Sequence, residues 1–469
     1  MTARVVIEDT GFGLRAAILV DERLVEVRDS DREDPAATGA LFVGRVTSVD
    51  AKLNAAFIDC GLPQPALLVA KDARAAAGSI ERLPIRQLVQ EGQRIVLQGV
   101  REAAGDKGAR VTSDLKLFGY ALVYSPVGQV VEPSQPTTGR RQADALRERR
   151  QSLFPDGRMA LRRHAVTLPD AALLDEAERL VARWRKLDAT ARGAKPGRLP
   201  EPENALERLL RTLVDIGPAG IEVADRGLLI ELERLLTTAA TLPPWTLQRL
   251  EPDEPAFTQT GVDAALEQAL GPEVQLARGG RLLIEPTAAC VAIDVDGGGR
   301  APLDVDLDAA GEVARQVRLR NLGGTIIVDF VDLPSRPERQ RLEEALRKAF
   351  RHDPAPIEIH QMSSLGIVQL SRARRGAPLA ARFSAACSCC GGTGIEPSAR
   401  ATAERLLIAL QASGGVVLRI RVASGLRSYL ASSAGWRHTV QRIGYQPELI
   451  ADAALSAGDF VLEEASYGR

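Results

Sequence analysis

The chain is short of cysteine, of aromatic rings and of net charge, and each shortage excludes something. Five cysteines among 469 residues cannot make a disulfide scaffold. Ten Phe, five Tyr and three Trp leave few rings for stacking, so each one in a polar-facing strand stands out. Sixty basic residues against 61 acidic give a formal charge of −1, which excludes a polycationic tail. Any nucleic-acid site must then be a local basic patch on a balanced surface. No run of eighteen apolar residues occurs, so no membrane-spanning helix is expected. The start, MTARVVIEDT, has no charged-then-apolar leader, and the cytoplasm is the expected location. What remains is ordinary folded composition, 45% hydrophobic and 26% charged. At roughly 150 residues per domain the length suggests about three domains or more.

Residues 1–38 read as a hairpin, with ARVVIED, LRAAILVD and RLVEVRD as its apolar runs. Residues 40–118 hold four more short apolar runs, LFVGRVTSVD, NAAFIDCG, PALLVAK and RIVLQGV, which suggests a small barrel or sandwich. Between Gly139 and Arg163 eight Arg face three acids, a local excess of +5. From Asp170 a helix is expected, with Leu173, Ala177, Leu180, Trp184 and Leu187 on one face. ARGAKPGRLPEPEN reads as a connector, and Leu206, Leu209, Leu210 and Leu213 mark another amphipathic helix. From about 270 the pattern turns α/β. LLIEPT and ACVAIDVD are buried strands, and residues 308–321 a helix with Arg315, Arg318 and Arg320 largely outward. Glycine is expected at its C-cap. TIIVDFVDL, IEIHQM and GIVQLS are further strands, and about 70 residues after CSCCGGTG form a small mixed domain.

Five features carry chemistry. Asp294 and Asp329 each close a buried apolar strand, where a carboxylate is costly without a partner or a metal. Side by side they suit Mg²⁺, which commonly takes one or two protein carboxylates and fills the rest of its octahedron with water and phosphate. Asp296 and Asp332 are additional candidate ligands, and the alternative is that all four are solvated loop-entry acids. The second feature is Cys387-x-x-Cys390 followed by glycines, half of a zinc site. No second half occurs in the chain, so two copies would close one Zn²⁺ between them; the alternative is a buried or redox-active pair. Third, Phe57 in AAFIDCG is a candidate base-stacking platform, or else core, and Lys107 in GDKGAR is placed to reach a phosphate. The fourth and fifth are arginine runs, one ending in Arg162, Arg163 and His164, the other SRARRGAPLAAR with Arg372, Arg374, Arg375 and Arg382. Guanidinium forks match phosphate geometry, and two such runs in a neutral chain favour a polyanion partner.

In this order, AAFIDCG, IDVD, the helix EVARQVRLRNLGG with IIVDFVDL, and CSCCGGTG resemble the ribonuclease E/G family over essentially the whole chain. With no long disordered C-terminal scaffold, the chain is similar to the short, ribonuclease G-type members. The resemblance implies an α/β multidomain fold. Its parts are an RNase H-like domain (1–38 and 206–268) with an inserted OB-fold barrel (39–118), and a 5′-end sensor-like domain (119–205). A DNase I-like catalytic domain (269–384), a zinc link (385–396) and a small domain (397–469) follow. It implies a Mg²⁺-dependent endoribonuclease that cuts single-stranded RNA, leaving a 5′-phosphate and a 3′-hydroxyl, and a homodimer or dimer of dimers through the zinc link. Carried over by motif, Asp294 and Asp329 match the metal-binding aspartates, and Asp296 stands where the family usually has Asn. Phe57 and Lys107 match RNA-contacting barrel residues, Cys387 and Cys390 the zinc pair, and Arg163 the arginine of the 5′-monophosphate pocket. Three departures are visible: Leu67 in place of a second aromatic, His164 in place of a Thr, and a shorter stretch between Asp294 and Asp329. Leu67 and the shorter stretch keep a second reading open, a catalytically weakened RNA-binding or assembly protein of the same fold. A zinc-bearing chaperone-like module is a third, but such proteins carry several copies of the cysteine motif and this chain has one.

Overall fold

A computed structural model describes the chain except residues 1–2, 32–37, 79–80, 102, 104–107, 128–139, 201–203, 218–219, 386, 388–389, 391, 393, 414–416 and 465–469. Two compact units result, residues 1–382 and 383–469.

The first unit opens with three antiparallel strands, β1 (Ala3–Asp9), β2 (Gly13–Val20) and β3 (Arg23–Asp31), one strand more than a hairpin. Asp21 and Glu22, both at positive φ, make the two-residue turn between β2 and β3. That geometry matches the right-handed twist of the flanking strands. The chain then builds β4 (Leu41–Asp50), β5 (Ala55–Asp59), β6 (Ala66–Val69), β7 (Arg94–Arg101) and β8 (Arg110–Thr112). Pairings run β4–β5–β6–β8–β7 and back to β4, so the five strands close into a barrel. Phe42, Val46, Ile58, Leu68, Leu97 and Val111 fill it. Gly44 is required there: a Cβ would stand 2.5 Å from Ile58 and 2.8 Å from Leu97.

Three short strands follow, β9 (Leu117–Phe118), β10 (Leu122–Tyr124) and β11 (Met159–Leu161), packed with helices Arg140–Leu153 and Asp170–Gly193. In the latter, Leu173, Ala177, Leu180 and Leu187 are buried as the periodicity predicts, with Trp184 partly so. Buried Glu176 accepts the Ala121 and Leu122 amides, a role no apolar pattern foretells. The expected connector contributes a strand, β12 (Gly197–Arg198), which extends the barrel sheet beside β4. After the helix Ala205–Leu213, capped by Asn204 and Glu207, the chain returns to its first sheet. Strands β13 (Gly220–Val223) and β14 (Thr246–Arg249) add in parallel, giving the order β14-β13-β1-β2-β3.

The third sheet has the order β15-β16-β17-β18-β20-β19. Its strands are β15 (Glu273–Gln275), β16 (Arg281–Pro286), β17 (Val291–Asp296), β18 (Gly324–Asp329), β19 (Ile357–Ile359) and β20 (Ile367–Arg372). Only β17 and β18 are parallel, and the helix Pro302–Leu319 crosses between them. That helix begins six residues before the expected 308, because Pro302 at its first turn lacks only an amide that would be unpaired anyway. It ends with Asn321, not glycine, in the left-handed conformation (φ 48°), while the Leu322 amide reaches back to Val317 O. Arg320 is buried rather than outward. Arg315 and Arg318 turn toward β3: Arg315 bonds Leu24 O and Glu312, and Arg318 bonds Glu26. Burial pushes the Glu26 and Glu312 carboxyls up, but their arginine partners prevail and hold both below the usual range.

The second unit is a three-stranded sheet, β21 (Val417–Val422), β22 (Glu448–Ala451) and β23 (Phe460–Glu464), in the order β22-β21-β23. Helices Ala399–Ala412, Ser424–Ser432 and Ala434–Ile443 cover it, with Leu406, Leu410, Ile420, Leu430 and Trp436 in the core.

Candidate active site and nucleic-acid interface

Strand β17 alternates strictly: Val291, Ile293 and Val295 are buried and Asp294 and Asp296 exposed. Strand β18 does the same, with Ile326 and Val328 inward and Asp329 outward. The parallel register sets Asp294 directly opposite Asp329 on one open face. Neighbouring strands lie about 4.8 Å apart, so the two carboxylates project side by side. Both stand at the carboxyl ends of their strands, where open α/β sheets place ligands. Among the described residues no hydrogen bond or ion pair answers either one, and no group of three or more His, Cys, Asp or Glu forms a ready metal cage.

Asp296 differs. Its Oδ1 accepts the Gly298 amide at 3.0 Å and its Oδ2 accepts Arg281 Nε at 3.1 Å. The Gly298 amide, with Arg281 assisting against slight desolvation, holds this carboxyl below its usual range. Each oxygen thus already accepts one hydrogen bond, unlike those of Asp294 and Asp329. The glycine-rich loop after it is pinned, since Arg300 bonds Gly279 O and Asp308. A Cβ on Gly280 would stand 2.7 Å from Asp296 O, so only glycine lets the two loops meet.

Beneath the acidic ends lies Asp306, two residues before the helix expected from 308. Asp306 has no exposed surface; its Oδ1 accepts the Val331 amide at 3.1 Å and its Oδ2 has no partner. Burial pushes its carboxyl up to about 7, with the Val331 amide opposing. The signal existed: Asp306 stands four residues before Ala310 and in step with Val313 and Val317, on the inward face of a helix begun at Pro302.

Phe57 and Leu67 are direct cross-strand partners on the outer face of the barrel, both half-buried. Phe57 is absent from the barrel's interior cluster, so its ring faces outward. Lys107 lies outside the described residues.

Arg372, expected at a phosphate, is a correction. It is buried, with both it and its ion-pair partner Asp353 2% exposed, and it also donates to Leu322 O. A guanidinium so enclosed reaches no RNA. Arg374 is exposed; its side chain lies over Gly323 and Gly324, at the opposite end of β18 from Asp329.

Exposed Arg163 and half-buried His164 line a cavity of about 430 Å³ with Gln142, Thr167, Asp215 and His352. His164 Nε2 lies 3.1 Å from Thr241 O and must donate to it, which leaves Nδ1 as a buried acceptor without a partner. Burial lowers the imidazole's pKa, which favours the neutral form. Neighbouring Arg162 is committed elsewhere, to Asp215 and the carbonyls of Gly119 and Arg211.

In the second unit Cys387 is exposed and Cys390 half-buried. The Gly394 amide donates to Cys390 Sγ at 3.3 Å. That amide, with Gly392 and Cys387 assisting, lowers the thiol's pKa, the arrangement a metal-ligating thiolate uses. Cys60 is the opposite case, buried inside the barrel with its thiol pushed up to about 12.

The model of the ribonuclease E/G family matches residues 116–375. The chain is 30% identical over 419 residues to ribonuclease G of Escherichia coli K12, covering 84% of each. It is 30% identical over 370 residues to ribonuclease E of Nostoc sp., covering 76% of this chain and 54% of that one. With ribonuclease E of Escherichia coli K12 it shares 29% over 411 residues, 38% of that protein. The chain thus spans about half or less of these ribonuclease E relatives but most of ribonuclease G. No helix among the described residues is long and apolar enough to cross a membrane. The chain belongs to the ribonuclease E/G family, a family of endoribonucleases.

Proposed function

We propose that this protein cleaves single-stranded RNA, with Asp294 and Asp329 as the residues that would hold a catalytic Mg²⁺. The observation that carries the reading is their opposition in register on an open face, unanswered by any cation among the described residues. The donor set fits: two exposed oxygen ligands suit a hard cation that keeps water and substrate phosphate in its other positions. Such an ion, when bound, supplies charge stabilisation at the scissile phosphate and acidifies water, for products with a 5′-phosphate and a 3′-hydroxyl. The chain's own residues do the rest. The strand register orients both carboxylates, the pinned Gly297–Arg300 loop borders the site, and Asp296, two residues along β17 on the same face as Asp294, is held by Arg281 and the Gly298 amide. Phe57 stacks a base against the barrel, while Leu67 beside it gives apolar contact only.

On this reading the first sheet is RNase H-like, the barrel an OB-fold for RNA, and the β15–β20 sheet DNase I-like. Arg374, Arg163 and Lys107 supply salt-dependent affinity, with a log–log slope of about −0.7 per phosphate neutralised. Cys387 and Cys390 would offer half of a tetrahedral Zn²⁺ site, completed by a second chain.

The test is cleavage of a 5′-monophosphorylated, AU-rich oligonucleotide with and without EDTA. Asp294→Asn or Asp329→Asn is expected to lower the rate at least ~10²-fold while RNA binding persists. A double variant cutting at the wild-type rate removes the reading. RNA binding that follows salt, with no Mg²⁺-dependent product from wild type, would establish the weakened RNA-binding protein instead.

A further inference from the structure

We infer that Asp306 is a positioning residue for this cleavage: its sealed carboxyl group clamps the chain just beyond Asp329 through the Val331 amide, and a charge placed on that group disturbs the enclosed packing around the clamp. The inference rests on the ribonuclease reading and concerns a residue that touches neither RNA nor metal.

The geometry is specific. The helix Pro302–Leu319 packs on the inner face of the sheet, against Ile293, Val328 and Phe330, while Asp294 and Asp329 occupy the open face. Asp306 therefore reaches the acidic pair only through backbone. Its one bond is to Val331, two residues past Asp329, at 3.1 Å. Its Oδ2 is enclosed and unpartnered. The titratable groups on surrounding elements give no relief. On its own helix Asp304 is acidic, and Asp308 is taken by Arg300. Asp296 on β17 is taken by Arg281, and Asp294, Asp329 and Asp332 at the strand ends are themselves acids. On the helix Arg336–Ala349, Ser335 bonds Glu338, Arg339 donates to Pro334 O, and Arg347 pairs with Glu343. None of these groups bonds Asp306.

A fully enclosed carboxylate without a counter-charge is unfavourable, so the folded chain holds this proton to higher pH than an exposed carboxyl would. With its carboxyl at about 7 rather than the usual 3.8, the change falls at neutral pH. The sign follows from proton binding. Between about pH 4 and pH 7 the folded chain keeps a proton that the unfolded chain has lost, so stability falls as pH rises, then levels off above 7. Ionisation strengthens the Val331 bond but leaves an enclosed charge on unpartnered Oδ2, which draws in water or shifts the helix's first turns together with Val331. Either one displaces Asp329 relative to Asp294.

Asp306→Asn decides the matter, since it keeps the Oδ1 acceptor and cannot ionise. The measurements are kcat and KM against pH with Mg²⁺ on the oligonucleotide, and the denaturant midpoint against pH without metal. The ratio of the variant's kcat to the wild-type value is expected to climb at least about threefold from pH 6 to pH 8.5, centred near 7, with KM ratios flat. The midpoint difference should open in the variant's favour between about pH 4 and pH 7. Asp306→Ala, which loses the acceptor, should depress kcat throughout. Parallel kcat profiles would overturn the positioning role, even if the midpoints diverge. Parallel midpoints would overturn the titration itself. Wild type that fails to cut at any pH would instead remove the ribonuclease reading, and the positioning role with it.

Discussion

At the scale of single residues, charge in this chain is governed by burial rather than by type. Arg372 and Arg374 are two residues apart in an acid-free run, yet one is enclosed with Asp353 and the other lies exposed over a pair of glycines. Alternation along β20 decides which is which, because residues two apart share a face only while the strand lasts, and it ends at Arg372. Arg372→Ala is therefore expected to destabilise the fold by about 3–5 kcal/mol, the cost of leaving Asp353 buried without its partner. Thermal unfolding checks this, and RNA affinity of the folded fraction should stay near wild type. The same logic separates the carboxylates: Asp296 is paired with Arg281 and the Gly298 amide, Asp294 and Asp329 are answered by nothing described, and Asp306 is sealed.

At the scale of elements, the barrel turns the lone aromatic of β5 outward, half-buried. An Ala-rich strand with one Phe is equally compatible with core and surface. Closure through the β4–β7 pairing settles it by sending Ala56 and Ile58 inward and Phe57 outward. Phe57→Ala should weaken single-stranded RNA binding by about 1–3 kcal/mol, the range for one stacked base. The melting temperature should barely move, and a large fall would instead mark Phe57 as structural. Leu67→Phe should act in the opposite direction on affinity, because it restores a ring beside Phe57. The β17–helix–β18 crossover does the corresponding work at the acidic pair. Its strand ends were legible as apolar runs closed by Asp; its register was not, since pairing depends on where the intervening helix starts and stops. A helix read from 308 leaves Asp306 outside it; the start at Pro302 brings Asp306 onto the helix's inward face.

At the scale of the whole molecule, the first sheet and the helix Pro302–Leu319 are joined by charge. Glu26 takes Arg28 and Arg318, Glu312 takes Arg23 and Arg315, and Asp29 takes Arg382. This ties residues about 290 positions apart into one body. The first sheet is itself discontinuous, with β13 and β14 arriving only after the barrel and the helices that follow it. Assembly is the remaining question at this scale. If two chains share one Zn²⁺ through Cys387 and Cys390, metal analysis should find about half a zinc per chain, and chelation should loosen a dimer or dimer of dimers. One tightly held zinc per monomer would contradict sharing.

Local chemistry was enough to announce the strands that end in aspartate, the paired cysteines with their glycines, the helix from Asp170 and the family likeness. Each depends on spacing within a dozen residues, and side-chain periodicity is a property of the chain itself. Only the tertiary structure decided that Asp294 faces Asp329, that Phe57 points out of a closed barrel, that Arg372 is entombed and that Asp306 lies beneath the site. Register, closure and burial depend on segments distant in sequence, and the cost of enclosing a charge exists only once those segments have packed.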